Sequence, residues 1–75
     1  MLPSERKKMV LECLRTAEGP LTSRQILERC DIDQERNQGT VAIMYVRRTL
    51  VQLEQEGRVV HWEEPIIRTK RWRLA

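Results

Sequence analysis

Apolar residues recur along this chain with a helical period as far as Gly57 and with a strand period beyond it. Between Gly39 and Gly57, Ile43, Val46, Leu50 and Leu53 follow +3, +4, +3 spacing and so share one face of a helix. At about 100° per residue, the opposite face carries Met44, Tyr45, Arg48, Gln52 and Gln55, with Arg47 on its flank. That outer face is poor in acid, because Glu54 and Glu56 come only in the last turn.

Two shorter helices are predicted upstream. The first starts near Ser4, a good N-cap, and presents Val10, Cys13, Leu14 and Ala17 on one face. Gly19-Pro20 ends it, since proline forbids continuation. Thr22-Ser23-Arg24-Gln25 then fits a capping box, with Thr22 as N-cap, Gln25 at the third helical position and Leu21 able to staple to Ile26. Ile26, Leu27 and Cys30 give this second helix an apolar face about two turns long. The polar segment Asp31–Gly39 reads as a loop with room for one helical turn, and Thr40 as the N-cap of the third helix.

After Gly57 the chain alternates. Val60 and Trp62 point one way and Val59, His61 and Glu63 the other; on the returning strand Trp72, Leu74 and Lys70 are in phase, with Arg71 and Arg73 facing out. A hairpin centred near Ile67 pairs Trp62 with Trp72 and Val60 with Leu74, giving the sheet one apolar face. The predicted core is therefore Ile43, Val46, Leu50, Leu53, Trp62, Trp72 and Leu74, and His61 is expected at the surface.

Seventy-five residues make one domain, 1–75, with a core only just large enough to stand without staples. The net charge of +3 is unevenly spread. Residues 1–37 hold seven basic and seven acidic side chains, whereas residues 38–75 hold seven basic and four acidic, so the excess sits on the third helix and the hairpin. Cys13 and Cys30 fall on apolar helical faces without Cys-x-x-Cys spacing and are expected as reduced core thiols. A zinc site is not expected from one histidine and two distant cysteines, and no cofactor is implied, because the three glycines punctuate helices rather than form a phosphate loop. With Cys13 on a core face and His61 on the hairpin, no nucleophile and base are placed together, so catalysis is not expected. Met1-Leu2-Pro3-Ser4 leads directly into charge with no signal-peptide h-region, and no run is long enough to span a bilayer; a cytoplasmic protein with no membrane role is the expectation.

Helix, helix, helix, hairpin is the order of a winged helix, and several segments carry the resemblance. Gly19-Pro20-Leu21-Thr22-Ser23-Arg24-Gln25-Ile26-Leu27 resembles the start of the second helix in winged helix-turn-helix regulators of bacterial or phage type, where a short strand at Pro-Leu-Thr often joins the wing sheet. Leu50-Val51-Gln52-Leu53-Glu54-Gln55-Glu56-Gly57-Arg58-Val59 is similar to the end of their recognition helix, and Arg71-Trp72-Arg73-Leu74 to their last wing strand. The resemblance implies an α+β fold, a three-helix bundle followed by a two-stranded antiparallel wing. It also implies a DNA-binding protein, a small transcriptional regulator or accessory factor that reads double-stranded DNA.

On that reading Thr22, Ser23 and Arg24 hold phosphate at a helix N-terminus, and Thr40 opens the helix that enters the major groove. Arg47 or Arg48 would contact guanine, Gln52 adenine, and Met44 or Tyr45 a thymine methyl, while Lys70, Arg71 and Arg73, with Arg68 beside them, follow the backbone. Each of these residues has a plainer role open to it. Arg47-Arg48 could be a solvated pair, Tyr45 half-buried packing, and the two tryptophans are better read as a hydrophobic clamp than as base-stacking rings. The wing tip Glu63-Glu64-Pro65-Ile66-Ile67 departs from the basic tips usual in DNA-binding wings. It suggests the rival reading, a winged-helix protein-interaction module docking through Ile66 and Ile67. A protein partner or a weak homodimer is the secondary expectation, and structured RNA would use the same basic surface.

Overall fold

The computed structural model describes residues 3–30 and 40–75, with side chains for 4–30 and 43–75. Three helices, α1 (Pro3–Thr16), α2 (Ser23–Cys30) and α3 (Thr40–Gln55), precede two strands, β1 (Val59–Glu63) and β2 (Lys70–Leu74). This is the α+β, winged-helix order that the change of period predicts. The expected loop Asp31–Gly39 and the capping side chain of Thr40 lie outside what is described.

Local signals set the boundaries. Pro3 opens α1, one residue ahead of Ser4, at a position where a missing N–H leaves no helical bond unmade. The capping box forms as read: Thr22 N–H donates to Gln25 Oε1 at 2.9 Å, and Gln25 N–H donates to Thr22 Oγ1 at 3.2 Å. Leu21 and Ile26, the two ends of the staple, are both buried. At the end of α3, Arg58 N–H reaches Leu53 O and Gly57 N–H reaches Glu54 O, each at 2.9 Å. That pair of bonds is a Schellman cap, and it needs Gly57 in the left-handed region, at φ 77°.

The core collects Val10, Cys13 and Leu14 from α1, Ile26, Leu27 and Cys30 from α2, and Ile43, Val46, Leu50 and Leu53 from α3, closed by Leu21, Val59 and Trp72. Thr49 is buried among them and turns its hydroxyl back to Tyr45 O at 2.8 Å, so that hydroxyl keeps a partner.

The hairpin corrects the expected register. β1 and β2 pair Val59 with Leu74, Val60 with Arg73, His61 with Trp72, Trp62 with Arg71 and Glu63 with Lys70. Neither the Trp62–Trp72 nor the Val60–Leu74 pair forms. The cause lies in the turn Glu64–Thr69, where Arg68 N–H donates to Glu64 O at 2.8 Å and Glu64 N–H to Thr69 O at 3.1 Å, with Arg68 itself at φ 54°. Six connecting residues put the hairpin centre between Ile66 and Ile67, half a residue from the expected place. A slip of one residue on β1 exchanges its faces.

Val59 therefore turns inward and is buried, whereas Trp62, expected in the core, is 40% exposed; Leu74, also expected there, shares the inward face with Trp72 but is exposed at the end of β2. His61 turns inward too, against expectation: its ring lies 4.7 Å from that of Trp72, and its Nδ1 is hydrogen-bonded to Glu54. On β2's free side Leu21 adds a bridge, with Leu21 N–H to Trp72 O at 3.0 Å and Trp72 N–H to Leu21 O at 2.8 Å. The strand expected at Pro-Leu-Thr is thus present in its shortest form.

Cys13 and Cys30 are free and buried, and the Cys30 thiol donates toward Met9 O at 3.5 Å. Burial, reinforced by the Cys13 thiol beside it, pushes the Cys30 thiol up to about 12. Both cysteines should therefore resist maleimide in the native protein, and their labelling rate should track unfolding. Because the folded state holds the proton more tightly, this group's contribution to stability is complete below its unfolded value near 9.0 and is lost as pH rises through about 12. Rapid labelling of both thiols without denaturant would contradict their placement.

Candidate nucleic-acid interface

Three parts of the fold converge on one open groove. The capping box brings Thr22, Ser23 and Arg24, at the start of α2, to one wall. α3 supplies Ile43, Arg47 and Val51, and the wing's second arm supplies Arg68, Thr69 and Lys70 above Trp72. Four cations, Arg24, Arg47, Arg68 and Lys70, thus border a groove that has no acidic side chain among its described lining residues. Each of the four is exposed, and none is in an ion pair with another described residue.

Three of the four acids of this half of the chain are drawn elsewhere, while Glu63 is exposed opposite Lys70 in the ladder. Glu54 bonds His61, Glu56 pairs with Lys7 and lies 3.8 Å from Arg58, and Glu64 pairs with Arg71. On α1 Arg15 pairs with Glu12. Pairing quenches those cations, and the groove keeps its field.

The groove lining also includes hydrogen-bond donors. The N-terminal turn of α2 presents backbone N–H groups at the positive end of a helix dipole. The indole N–H of Trp72 is buried and has no acceptor among the described residues. A phosphate oxygen is the kind of acceptor this lining suits, since charge-assisted bonds to arginine and lysine are among the stronger polar contacts.

Five of the residues singled out in the sequence meet here: Thr22, Ser23, Arg24, Arg47 and Lys70. Arg68, noted with them, meets them too. Others stand apart. Arg71 is occupied by Glu64, and Arg73 lies 5.7 Å over the exposed Trp62 ring, on the face of the hairpin that carries Val60 and Trp62. Tyr45 is half-buried on the α1 side of α3, with the Arg6 guanidinium 4.6 Å above its ring. Met44, Arg48 and Gln52 are exposed on α3 outside the groove lining. Thr40 opens α3, and its side chain is outside the described set.

Val51, Thr69 and Trp72 were not singled out as contacts. Val51 and Arg47 are four apart and share a helical flank, so the spacing held that signal; Trp72 gave none, because its value as a donor depends on where the fold leaves its N–H.

No protein-family model matches this chain, and no curated protein is significantly similar to it. Among the described residues no three His, Cys, Asp or Glu side chains gather as a metal site, and no helix is long and apolar enough to cross a membrane.

Proposed function

We propose that this protein is a winged-helix DNA-binding protein, a small transcriptional regulator or accessory factor. One observation carries the reading: the four cations of the α2–α3–wing groove converge without a described acid among them. A duplex presents one phosphate charge per about 1.7 Å of axis, and neutralising it releases counterions, which is the main source of such affinity. In this reading the exposed face of α3 enters the major groove. Arg48 and Met44 reach base edges, Gln52 follows them, and Arg47 faces the flanking phosphates with Arg24, Arg68 and Lys70. Arg73 and Arg71 act at the margin, because each is engaged within the hairpin.

The reading is non-catalytic. His61, the only histidine, is held by Glu54 and Trp72, and the Cys30 thiol is kept protonated by burial, which is the wrong state for a nucleophile. A protein-interaction module is the second reading, favoured by the exposure of Ile66 and Ile67.

Titration of labelled duplex DNA, single-stranded DNA and RNA at two salt concentrations separates these. Duplex binding that weakens steeply with salt is expected. Replacing Arg48 with alanine should then cost about 1–3 kcal/mol on a preferred sequence and little on others, if it reads a base. Absence of duplex binding at low salt would remove the DNA reading, and equal binding of RNA would broaden it.

A further inference from the structure

The wing tip is the most exposed apolar surface among the described residues. Ile66 is 94% and Ile67 61% exposed, and Pro65 beside them is exposed as well. Such a tip is built rather than loose, since two backbone hydrogen bonds close it, Arg68 N–H to Glu64 O and Glu64 N–H to Thr69 O, and proline fixes one of its torsions. Isoleucine is stiff at its β-branch, so its χ1 angle has little freedom to lose.

The acids of the wing do not stand in the way. Glu64 is drawn back onto Arg71, and Glu63 sits opposite Lys70 in the ladder. What projects is apolar, and immediately behind it Arg68, Thr69 and Lys70 enter the cationic groove. Ile66 is two residues from Arg68, within about 7 Å of chain. A protein partner held by this tip alone would bury far less than the roughly 1,200–2,000 Å² of a stable complex. As an extension of a charged interface, the same small surface has a defined use.

We propose that the tip is a minor-groove wedge: with α3 in the major groove, Ile66 enters the neighbouring minor groove and partly unstacks one base step, so that the protein bends its DNA. The inference rests on the DNA-binding reading above and adds to it a deformation and a sequence preference. Apolar side chains inserted in this way kink duplexes by about 20–90° toward the major groove. Pyrimidine–purine steps unstack most easily, so a TA or CA step beneath the tip is favoured without any base contact to read it. Arg68, held next to the tip in a left-handed conformation, keeps its charge at the groove edge while the wedge enters.

The test measures binding and bending separately on one duplex of about 30 base pairs, by anisotropy and by energy transfer between dyes at its ends. The wild-type protein should raise transfer at saturation. The double variant Ile66→Ser with Ile67→Ser should bind with less than about a tenfold loss, leave the duplex straight, and lose preference for a TA or CA step. Ile66→Leu should restore the bend, which separates a wedge from a misfolded tip. Wild-type binding with a straight duplex overturns the wedge and leaves the DNA reading standing. A serine variant that bends DNA as the wild type does also overturns it, and gives the tip to a protein partner instead. Absence of duplex binding by anisotropy removes both readings together.

Discussion

Replacing Arg24, Arg47, Arg68 and Lys70 together with glutamine is expected to collapse duplex binding, by roughly a thousandfold at physiological salt. The magnitude follows from counterion release. Each phosphate neutralised contributes about 0.9 to the slope of log affinity against log salt, so four lost contacts should flatten that slope by about 3–4. The change should weaken every sequence alike, since backbone contacts fix position and carry little sequence information. Folding should survive, because all four side chains are exposed and none is paired with another described residue. Lys7, Arg15 and Arg58, each beside a glutamate, provide the control: their joint replacement should move the slope by less than one. Equal effects of the two sets would mean that net charge alone, and not the groove, sets affinity.

Trp72→Ala should be the most damaging single change to the fold, with a loss of about 3–5 kcal/mol in denaturant or thermal unfolding. Trp72 is 3% exposed, stacks near His61 and pairs with Leu21 as well as with β1. A domain of this length has roughly 4–11 kcal/mol in total. The change would therefore remove a large share of the total stability. Trp62→Ala, on the opposite face and 40% exposed, should cost within about 1 kcal/mol. Equal losses at the two tryptophans would restore the register in which both point inward.

That contrast marks where the sequence stopped being legible. Helical faces could be read because each carried a single stripe: Ile43, Val46, Leu50 and Leu53 have no rival on α3, and Gly57 and the Thr22–Gln25 box act through the local backbone alone. The hairpin carries large apolar groups on both faces, Val59 beside Val60 and Trp62 beside His61, so alternation could not choose between them. The choice fell to the turn, where a left-handed arginine stands in place of the glycine or asparagine that marks such a position in sequence. Thr22, Ser23 and Arg24 were legible as a helix start because a capping box is a local feature. Which cations join them was not, since Arg47 and Arg48 differ by only one residue yet point about 100° apart, and only packing decides which of them meets the wing.

The Leu21–Trp72 bridge welds the two walls of the groove together. Leu21 immediately precedes the first turn of α2, and Trp72 follows Lys70 by two residues, so the helix start and the wing arm are coupled through a pair of backbone hydrogen bonds between residues about fifty positions apart. Neither wall can swing without breaking both bonds and exposing Trp72. For association this means that little backbone entropy remains to be lost at the groove when a ligand arrives, and the ordering cost falls on the long side chains of Arg24, Arg47, Arg68 and Lys70 alone.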